Sequence, residues 1–133
     1  MEKLFNEKGK SFTGYCGVAA VSNVSNVPLS EVHAKFIKLC KKKPTLTGGT
    51  HHNERVKVLK YYRVKFQEFK LLGMTLKTFV DQHTVKDTTY IVTTSSHVQV
   101  IKNAMVTDQR GTVHISEYWG RNKKLKKTQI KVK

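Results

Sequence analysis

The order of the predicted elements indicates a single α+β domain with an antiparallel sheet. Helical patterns come first along the chain, and β-branched, alternating segments come last. Helices and strands that are segregated in this way favour antiparallel pairing over a wound parallel sheet. With 133 residues, 38% of them hydrophobic, the chain is long enough to build one core. We therefore expect residues 1–133 to form one domain, with residues 1–11 loosely held.

Helical patterns occupy three segments in the N-terminal part of the chain. Small and apolar side chains from Cys16 to Asn26 predict a buried helix, which tertiary packing must hold because its helix propensity is poor. Ser30 is the predicted N-cap of a second helix, and Pro44 prevents its continuation. Thr50 is the predicted cap of a third helix that ends near Tyr61.

Strand patterns dominate the second half of the chain. A short fourth helix, capped by Thr75 and ending near His83, separates the first of these strands from the others. The predicted strands are rich in β-branched residues or alternate in polarity, and they cover Arg63–Phe69, Thr88–Thr94, His97–Asn103 and Ala104–Asp108. We expect the last two to form a tight hairpin with Lys102 and Asn103 in its turn. The basic tail, residues 121–133, is expected to be an edge strand that its lysines protect from aggregation.

The chain is strongly basic, since 25 Lys and Arg residues against nine Asp and Glu residues give a formal charge of +16. Self-repulsion at this charge destabilises a compact state. One explanation is an acidic partner, which could be nucleic acid, an anionic membrane or an acidic protein surface, and the other is solubility alone. The candidate polyanion-binding residues form two dense lysine clusters: Lys41, Lys42, Lys43, Lys123, Lys124, Lys126 and Lys127.

The sequence predicts a soluble protein of the cytoplasm with no membrane partner. Residues 1–10 lack the apolar centre of a secretory signal, and no apolar run approaches the roughly 20 residues that a membrane span needs. Two cysteines do not indicate a disulfide framework. No phosphate-binding loop, dinucleotide fingerprint or zinc-finger spacing is present, so no cofactor is predicted.

Cys16 has the local sequence of a candidate nucleophile. It stands between Tyr15 and Gly17, where a loop enters the first predicted helix. The positive end of a helix lowers the pKa of a thiol, the glycine leaves room for a substrate carbonyl, and the Cys16 N–H can serve as an oxyanion donor. Alternatively, Cys16 is a small buried side chain, which is a common role for cysteine.

His97 and Asp108 are the candidate partners of this cysteine. His97 opens a predicted strand, and Asp108 ends the strand that returns from the hairpin turn. A turn near Asn103 would make the two residues cross-strand neighbours, with Cβ atoms about 5 Å apart. An Asp in that place orients the imidazole and stabilises its charged form, as in a catalytic triad. Taken separately, a His at a strand end and an Asp at a turn are ordinary features.

Four stretches follow one another along the chain: GYCGVAAVSNVSN, LSEVHAKF, TLKTFVDQH and TTYIVTTSSHVQVIKNAMVTD. In order and spacing they resemble a family of small papain-like cysteine-peptidase domains found in bacteria and their phages. The resemblance extends from about Phe12 to the basic tail. It implies a papain-like fold, in which N-terminal helices, with the Cys on the first, pack on a C-terminal antiparallel sheet.

The resemblance also implies a function. Cys16 would be the nucleophile, His97 the general base and Asp108 the residue that orients it, acting on a peptide or isopeptide bond of a protein substrate. The location would be the cytoplasm of a bacterium or of the host of a phage.

Two departures from the family pattern keep a second hypothesis open. Papain-like enzymes usually have a Gln or Asn shortly before the Cys as an oxyanion donor, whereas KGKSFTGY offers only Ser11 or Thr13 as substitutes. Ser96 stands before His97, where the family commonly has Gly. In the second hypothesis the fold is catalytically weak or inactive, and its basic surface binds nucleic acid or an acidic host protein.

The remaining candidates for chemistry are weaker. His51 and His52 could bind a metal together with another ligand, but loop histidines without a metal role are the commoner case. Trp119 stands among basic residues and could stack on a base, although we expect it to cap the core under the C-terminal strand. Cys40 lies on the apolar face of the second predicted helix, and we interpret it as structural.

Overall fold

The structure is a computed structural model and describes residues 15–41, 50–71, 73–95 and 97–133. Within these ranges, the elements are α1 (Cys16–Ser25), α2 (Leu29–Leu39), α3 (His52–Tyr61), β1 (Phe66–Lys70), α4 (Leu76–His83), β2 (Thr89–Thr94), β3 (His97–Lys102), β4 (Met105–Asp108), β5 (Gly111–His114), a 3-10 turn (Ile115–Glu117) and β6 (Thr128–Val132). The prediction of an α+β fold with an antiparallel sheet is confirmed. The segment 1–11 that we expected to be loosely held lies outside the described residues.

The four predicted helices are present, but two of the predicted caps are wrong. Helix α2 begins at Leu29 with Pro28 as its N-cap, because the proline fixes φ near the value that leads into a helix, so Ser30 lies inside the first turn. Helix α3 has His51 as its N-cap, and the His51 N–H donates to the Glu54 carboxylate at 2.8 Å. The third cap is confirmed, since Thr75 Oγ1 accepts a hydrogen bond from the Thr78 N–H at 3.2 Å.

The six strands pair in the order β1-β6-β2-β3-β4-β5, and every pairing is antiparallel. The prediction that the basic tail forms an edge strand is therefore wrong. Strand β6 lies between β1 and β2, because its Gln129 and Ile130 side chains are both 1% exposed and need cover that an edge does not provide. The edges are β1 and β5. We did not predict β5, whose four residues are all exposed.

The sheet divides the apolar interior into two clusters within the one domain. Helices α1, α2 and α3 pack on one face, against side chains such as Ile91 and Val100. Helix α4 and the 3-10 turn pack on the other face, against Val92 and Ile101. Neighbouring residues of a strand thus serve opposite clusters, as the period of two requires. Among the described residues, no helix is long and apolar enough to cross a membrane.

Candidate functional site

Cys16 is the first residue of α1 and lies where that helix meets the sheet. Its N-cap, Tyr15, makes no side-chain capping bond, and the first intrahelical bond runs from the Ala19 N–H to the Tyr15 carbonyl at 2.9 Å. The N–H groups of the first turn are therefore left without intrahelical partners, and they point toward the side of the thiol. Cys16 is half-buried and is a free thiol, as is Cys40 at the end of α2.

His97, the first residue of β3, reaches this thiol. Cys16, His97 and Val98 line the same cavity, and the His97 imidazole and the Val98 backbone N–H lie close enough to the sulfur to lower the pKa of the thiol. His97 is 8% exposed. A cysteine at a helix N-terminus and an imidazole on the same cavity wall are the two groups that a nucleophile–base pair for thiol hydrolysis requires.

Asp108, the last residue of β4, holds the other side of the imidazole. Its Oδ2 lies 3.0 Å from His97 Nε2. The Tyr118 hydroxyl approaches the same oxygen at 2.9 Å and Trp119 Nε1 at 3.4 Å, while the Arg110 N–H donates to Oδ1 at 2.8 Å. The structure thus brings together the three predicted residues, Cys16, His97 and Asp108.

The hairpin that positions Asp108 differs from the predicted one. Its turn residues are Asn103 and Ala104, both with positive φ (52° and 65°), as a two-residue hairpin loop requires. Continuing the observed register by one residue places Asp108 opposite Gln99, so His97 and Asp108 are diagonal neighbours. The predicted register was wrong by two residues. A shift of two keeps every side chain on its face of the sheet, which is why the contact still forms.

The pKa values of this cluster describe an ion pair. Burial on its own raises the pKa of the Cys16 thiol, but the hydrogen bond and charge of His97, the Val98 N–H and the charge of Arg55 together bring it below its ordinary value. Burial lowers the pKa of His97, but its bonds to Asp108 and Cys16 outweigh this and raise it to about 9. The thiolate form of Cys16 and the imidazolium form of His97 therefore stabilise each other.

Asp108 is ionised throughout this range. Burial raises the pKa of its carboxyl, but the hydrogen bonds from His97, the Arg110 N–H and Tyr118 outweigh burial and lower it to about 2. The pKa of Tyr118 is raised by burial and by the Asp108 charge, so its hydroxyl stays protonated. Tyr118 thus remains a donor to the carboxylate.

Trp119 covers the His97–Asp108 contact and does not cap the core, contrary to our expectation. Its indole ring is 45% exposed, and its centroid lies 5.1 Å from that of the His97 ring. Two cations approach the indole, Arg110 at 4.7 Å and Lys123 at 5.5 Å from the ring centroid. The tryptophan therefore shields a buried ion pair from water, which strengthens the electrostatic interaction within that pair.

A cavity of about 570 Å³ opens over Cys16 and His97. The loop before β6 contributes Lys126 and Lys127 to its wall, and α3 contributes Arg55. Three buried side-chain atoms make no hydrogen bond within the described part of the chain, namely Arg55 Nε, Thr94 Oγ1 and Gln109 Oε1. All three of these residues line the cavity. Unpaired buried polar atoms are rare in folded proteins, and here they are concentrated where a substrate would lie.

Arg55 is the most unusual of these residues, because it is 3% exposed. Its guanidinium donates to the Thr50 carbonyl at 2.6 Å, to Thr50 Oγ1 at 2.9 Å and to Thr93 Oγ1 at 3.3 Å. None of these acceptors is charged. Burial lowers the pKa of Arg55, and the charges of Cys16 and Glu54 act against this.

Our sequence analysis missed Arg55, Gln109 and Tyr118. Arg55 had a detectable signal, since it lies three and four residues before the buried Val58 and Leu59 and so shares their helix face. A charged residue on an apolar face is a candidate for function. Gln109 and Tyr118 had no such signal, because their contribution depends on how the loops after β4 and β5 fold.

The remaining predicted site residues are spread over the molecule. Lys123, Lys124, Lys126 and Lys127 are all exposed, and only the last two line the cavity. Lys41 is exposed at the end of α2, whereas Lys42 and Lys43 lie outside the described residues.

The adjacent histidines have other partners than a metal. His52 Nε2 lies 2.5 Å from Glu68 Oε1, and His51 caps α3. The part of the chain that the structure describes contains no group of three or more His, Cys, Asp or Glu side chains that could hold a metal ion.

Comparison of the chain with protein-family models, with curated proteins and with solved structures finds no match. The geometry of Cys16, His97 and Asp108 is therefore the basis for assigning a function.

Proposed function

We propose that this protein is a thiol hydrolase of papain-like type, which cleaves a peptide or isopeptide bond of a protein substrate. The observation that carries the proposal is the continuous contact from thiol to imidazole to carboxylate. Cys16 and His97 line the same cavity, where the imidazole lowers the pKa of the thiol, and His97 Nε2 lies 3.0 Å from Asp108 Oδ2. The imidazole and the carboxylate have the protonation states that their roles require, because the pKa of His97 is raised to about 9 and that of Asp108 is lowered to about 2, while the pKa of the Cys16 thiol is lowered.

The hydrolysis would proceed through an acyl-enzyme, with Cys16 as nucleophile and His97 as the group that transfers protons. The Cys16 thiolate attacks the carbonyl carbon of the substrate, and a carbon–sulfur bond forms as the carbonyl oxygen becomes negative. The His97 imidazolium gives its proton to the leaving amine when the carbon–nitrogen bond breaks. Water then loses one proton to the neutral His97 and attacks the acyl-enzyme; the carbon–sulfur bond breaks, the ion pair is restored, and the product leaves as a carboxylic acid that gives its remaining proton to solvent. Asp108 keeps the imidazole in one orientation and stabilises its charged form.

The negative oxygen of the intermediate needs donors. The Cys16 N–H, at the free end of α1, is one. No Gln or Asn stands shortly before Cys16, but Gln109 supplies a carboxamide from a different part of the chain. It is 8% exposed, lines the same cavity and has an unpaired oxygen. Since the oxygen and nitrogen of a carboxamide are assigned and not seen, rotation by half a turn presents the NH₂ group instead. We assign Gln109 as the second oxyanion donor.

The test is covalent trapping, with Cys40 as an internal control. Iodoacetamide at pH 6.5 should alkylate Cys16 much faster than Cys40, as read by peptide mass spectrometry, because a thiolate and not a thiol is the nucleophile. A peptidyl thioester should then give an acyl adduct on Cys16 that disappears with time, and Cys16→Ser should abolish the adduct. Equal alkylation of the two cysteines would disprove the proposal.

A second candidate function, binding of nucleic acid or another polyanion, is favoured by the segment 123–127. This segment is fixed to the body of the protein, since the Leu125 N–H donates to the Met74 carbonyl at 3.0 Å and the Lys126 N–H donates to the Thr93 carbonyl at 2.9 Å. Leu125 is buried, while the lysines on either side of it are exposed. A rigid row of lysines on a chain of formal charge +16 suits the backbone of a nucleic acid.

A reducing compartment suits the proposed chemistry. Cys16 and Cys40 are both free thiols, and a nucleophilic thiolate works only while it is reduced. We therefore place the protein in the cytoplasm of a bacterium, or of the host if a phage encodes it.

A further inference from the structure

We propose that the substrate carries a carboxylate close to the scissile carbonyl, as an Asp or Glu side chain within the two residues that precede the cleaved bond. This inference rests on the proposed thiol hydrolase function and names its substrate class. It is drawn from the charges that line the cavity, from the burial of one of them, and from the change in charge that acylation causes.

The cavity wall is cationic. Arg55, Lys126 and Lys127 line it together with His51 and His52, and no Asp or Glu is among its described lining residues. The two lysines come from the segment that is tied to β2 through the Lys126 N–H and to the start of the loop after β1, where the Leu71 N–H donates to the Lys127 carbonyl at 3.1 Å. Their backbone is therefore fixed beside the nucleophile, and a cavity walled by one sign of charge attracts the opposite sign.

Arg55 is the buried cation whose charge a substrate carboxylate would balance. A buried guanidinium needs a counter-charge, and the neutral oxygens of Thr50 and Thr93 do not supply one. The anions that act on it are the Cys16 thiolate and Glu54 at the start of α3. Whenever Cys16 is ionised, its thiolate therefore contributes to the counter-charge of Arg55.

Acylation of Cys16 removes the negative charge of its thiolate. When the sulfur of Cys16 becomes a thioester it is neutral, and Arg55 loses an anionic neighbour at the moment when the substrate fills the cavity. A substrate carboxylate would replace the lost charge. Arg55 and Thr94 both line the cavity, and a small shift of their side chains would present the unpaired Arg55 Nε–H and the Thr94 hydroxyl to this carboxylate as donors. With a neutral substrate, Glu54 would be the one anion named above that still acts on the buried cation.

The experiment compares matched substrates. Peptidyl thioesters with Glu or with the isosteric Gln at each of the two residues before the thioester carbonyl are reacted with the full chain at low ionic strength, and the acylation rate of Cys16 is followed by mass spectrometry. The Glu thioester should react about five- to tenfold faster than its Gln counterpart at one of the two positions, and salt should reduce the ratio.

Two double variants test whether the preference for the Glu thioester arises at the cavity wall. Lys126→Gln with Lys127→Gln should lower the Glu/Gln ratio by about half or more, and Arg55, which remains in the wall, should maintain the rest. Lys57→Gln with Lys60→Gln removes the same charge from exposed positions on α3 that do not line the cavity, and should keep the ratio. Equal rates for Glu and Gln thioesters at both positions, with Cys16 still alkylated faster than Cys40, would overturn this inference and leave the thiol hydrolase intact.

The other outcomes are equally informative. An equal loss of the ratio in both double variants would also overturn the inference, because the preference would then arise from net charge and would point to binding of a polyanion such as nucleic acid. Failure of Cys16 to react faster than Cys40 with the neutral probe would instead disprove the hydrolase proposal itself.

Discussion

His97 lies between two groups that each favour its proton. The Asp108 carboxylate is on one side and the Cys16 thiolate on the other, and Trp119 limits the access of water. This arrangement makes the imidazolium both the partner that ionises the thiol and the acid that the leaving group needs. The reactivity of Cys16 and the charge of His97 should therefore change together.

Replacement of His97 by Gln tests this dependence. The thiol loses the hydrogen bond and the positive charge that lower its pKa, while burial still raises it, so its pKa should rise. The alkylation rate of Cys16 at pH 6.5 should fall by about tenfold or more, since it follows the thiolate fraction. In the wild type, hydrolysis should also decline as the pH rises through about 9, where His97 loses its proton. The measurement is the pH dependence of both rates, with Cys40 alkylation as the control.

Replacement of Asp108 by Asn should change the acid stability of the protein. The pKa of Asp108 is lowered from 3.8 to about 2, so the stability it contributes is present above 3.8 and is lost as the pH falls toward 2. This pKa shift contributes about 2 kcal/mol to the free energy of unfolding at pH 5, and roughly half of that contribution remains at pH 3. Urea unfolding of both proteins should show their difference shrinking from pH 5 to pH 3. A difference that is constant with pH would contradict the lowered pKa.

Replacement of Gln109 by Ala separates the oxyanion donor from the ion pair. Alkylation by iodoacetamide creates no oxyanion, so its rate should hardly change. Hydrolysis of a peptidyl substrate should lose about 10²-fold in kcat, the size of effect seen when one such donor is removed. If both reactions slow in parallel, Gln109 supports the ion pair and is not an oxyanion donor.

At the scale of elements, the hairpin of β3 and β4 shows what the sequence could and could not predict. The alternating pattern and the turn at Asn103 predicted the hairpin and the face on which His97 and Asp108 lie. The register could not be predicted, because it depends on whether Asn103 pairs with Lys102 or with Ala104 in the turn. The left-handed conformation of Ala104 (φ 65°) is uncommon for a residue with a Cβ.

The junction of α1 with α3 depends on Gly17. A Cβ at this position would collide with Thr50 Oγ1, and would lie 3.3 Å from Arg55 Cδ. Gly17→Ala should therefore destabilise the protein by about 1–3 kcal/mol, despite the better helix propensity of Ala. It should also slow the alkylation of Cys16, because Thr50 and Arg55 must move.

The matched control for this prediction removes the colliding hydroxyl. Thr50→Ala combined with Gly17→Ala should recover part of the lost stability in urea unfolding, which makes the two changes non-additive. A Gly17→Ala variant that is as stable as the wild type would show that the junction accommodates the methyl group.

At the scale of the whole molecule, the sequence predicted the local features and missed the distant ones. The four helices, the segregation into α and β parts and the approach of His97 to Asp108 follow from patterns within short segments. The insertion of β6 between β1 and β2, and the placement of Lys126 and Lys127 beside Cys16, join residues far apart in the chain. Such pairings depend on burial that is decided only when the sheet assembles. The lysines of the tail suggested that it would be an edge strand of the sheet. Its Gln129 and Ile130 side chains are instead buried, as expected of a strand inside the sheet.

The basic surface gives a further prediction on this scale. Replacement of Lys123, Lys124, Lys126 and Lys127 by Gln should weaken binding to duplex DNA and flatten its dependence on salt, by about 0.9 in the log–log slope for each lysine that contacts a phosphate. Little sequence preference is expected, since phosphate contacts carry no base code. Binding is measured by fluorescence anisotropy at 50–200 mM salt.

A variant with the same loss of charge is the control. Lys38, Lys57, Lys60 and Lys86 are exposed and lie outside both lysine clusters, so their replacement by Gln should affect binding less. Equal effects of the two variants would assign the interaction to net charge. Absence of binding at 50 mM salt would show that the charge serves another purpose.

The central position of β6 has a consequence for translation. A ribosome releases α1 early and β6 late, so a nascent chain already contains Cys16 while β1 and β2 still lack the strand that joins them. The cavity wall at Lys126 and Lys127 is absent during the same interval. The cavity around Cys16 can therefore be completed only after β6 has been synthesised and has paired with β1 and β2.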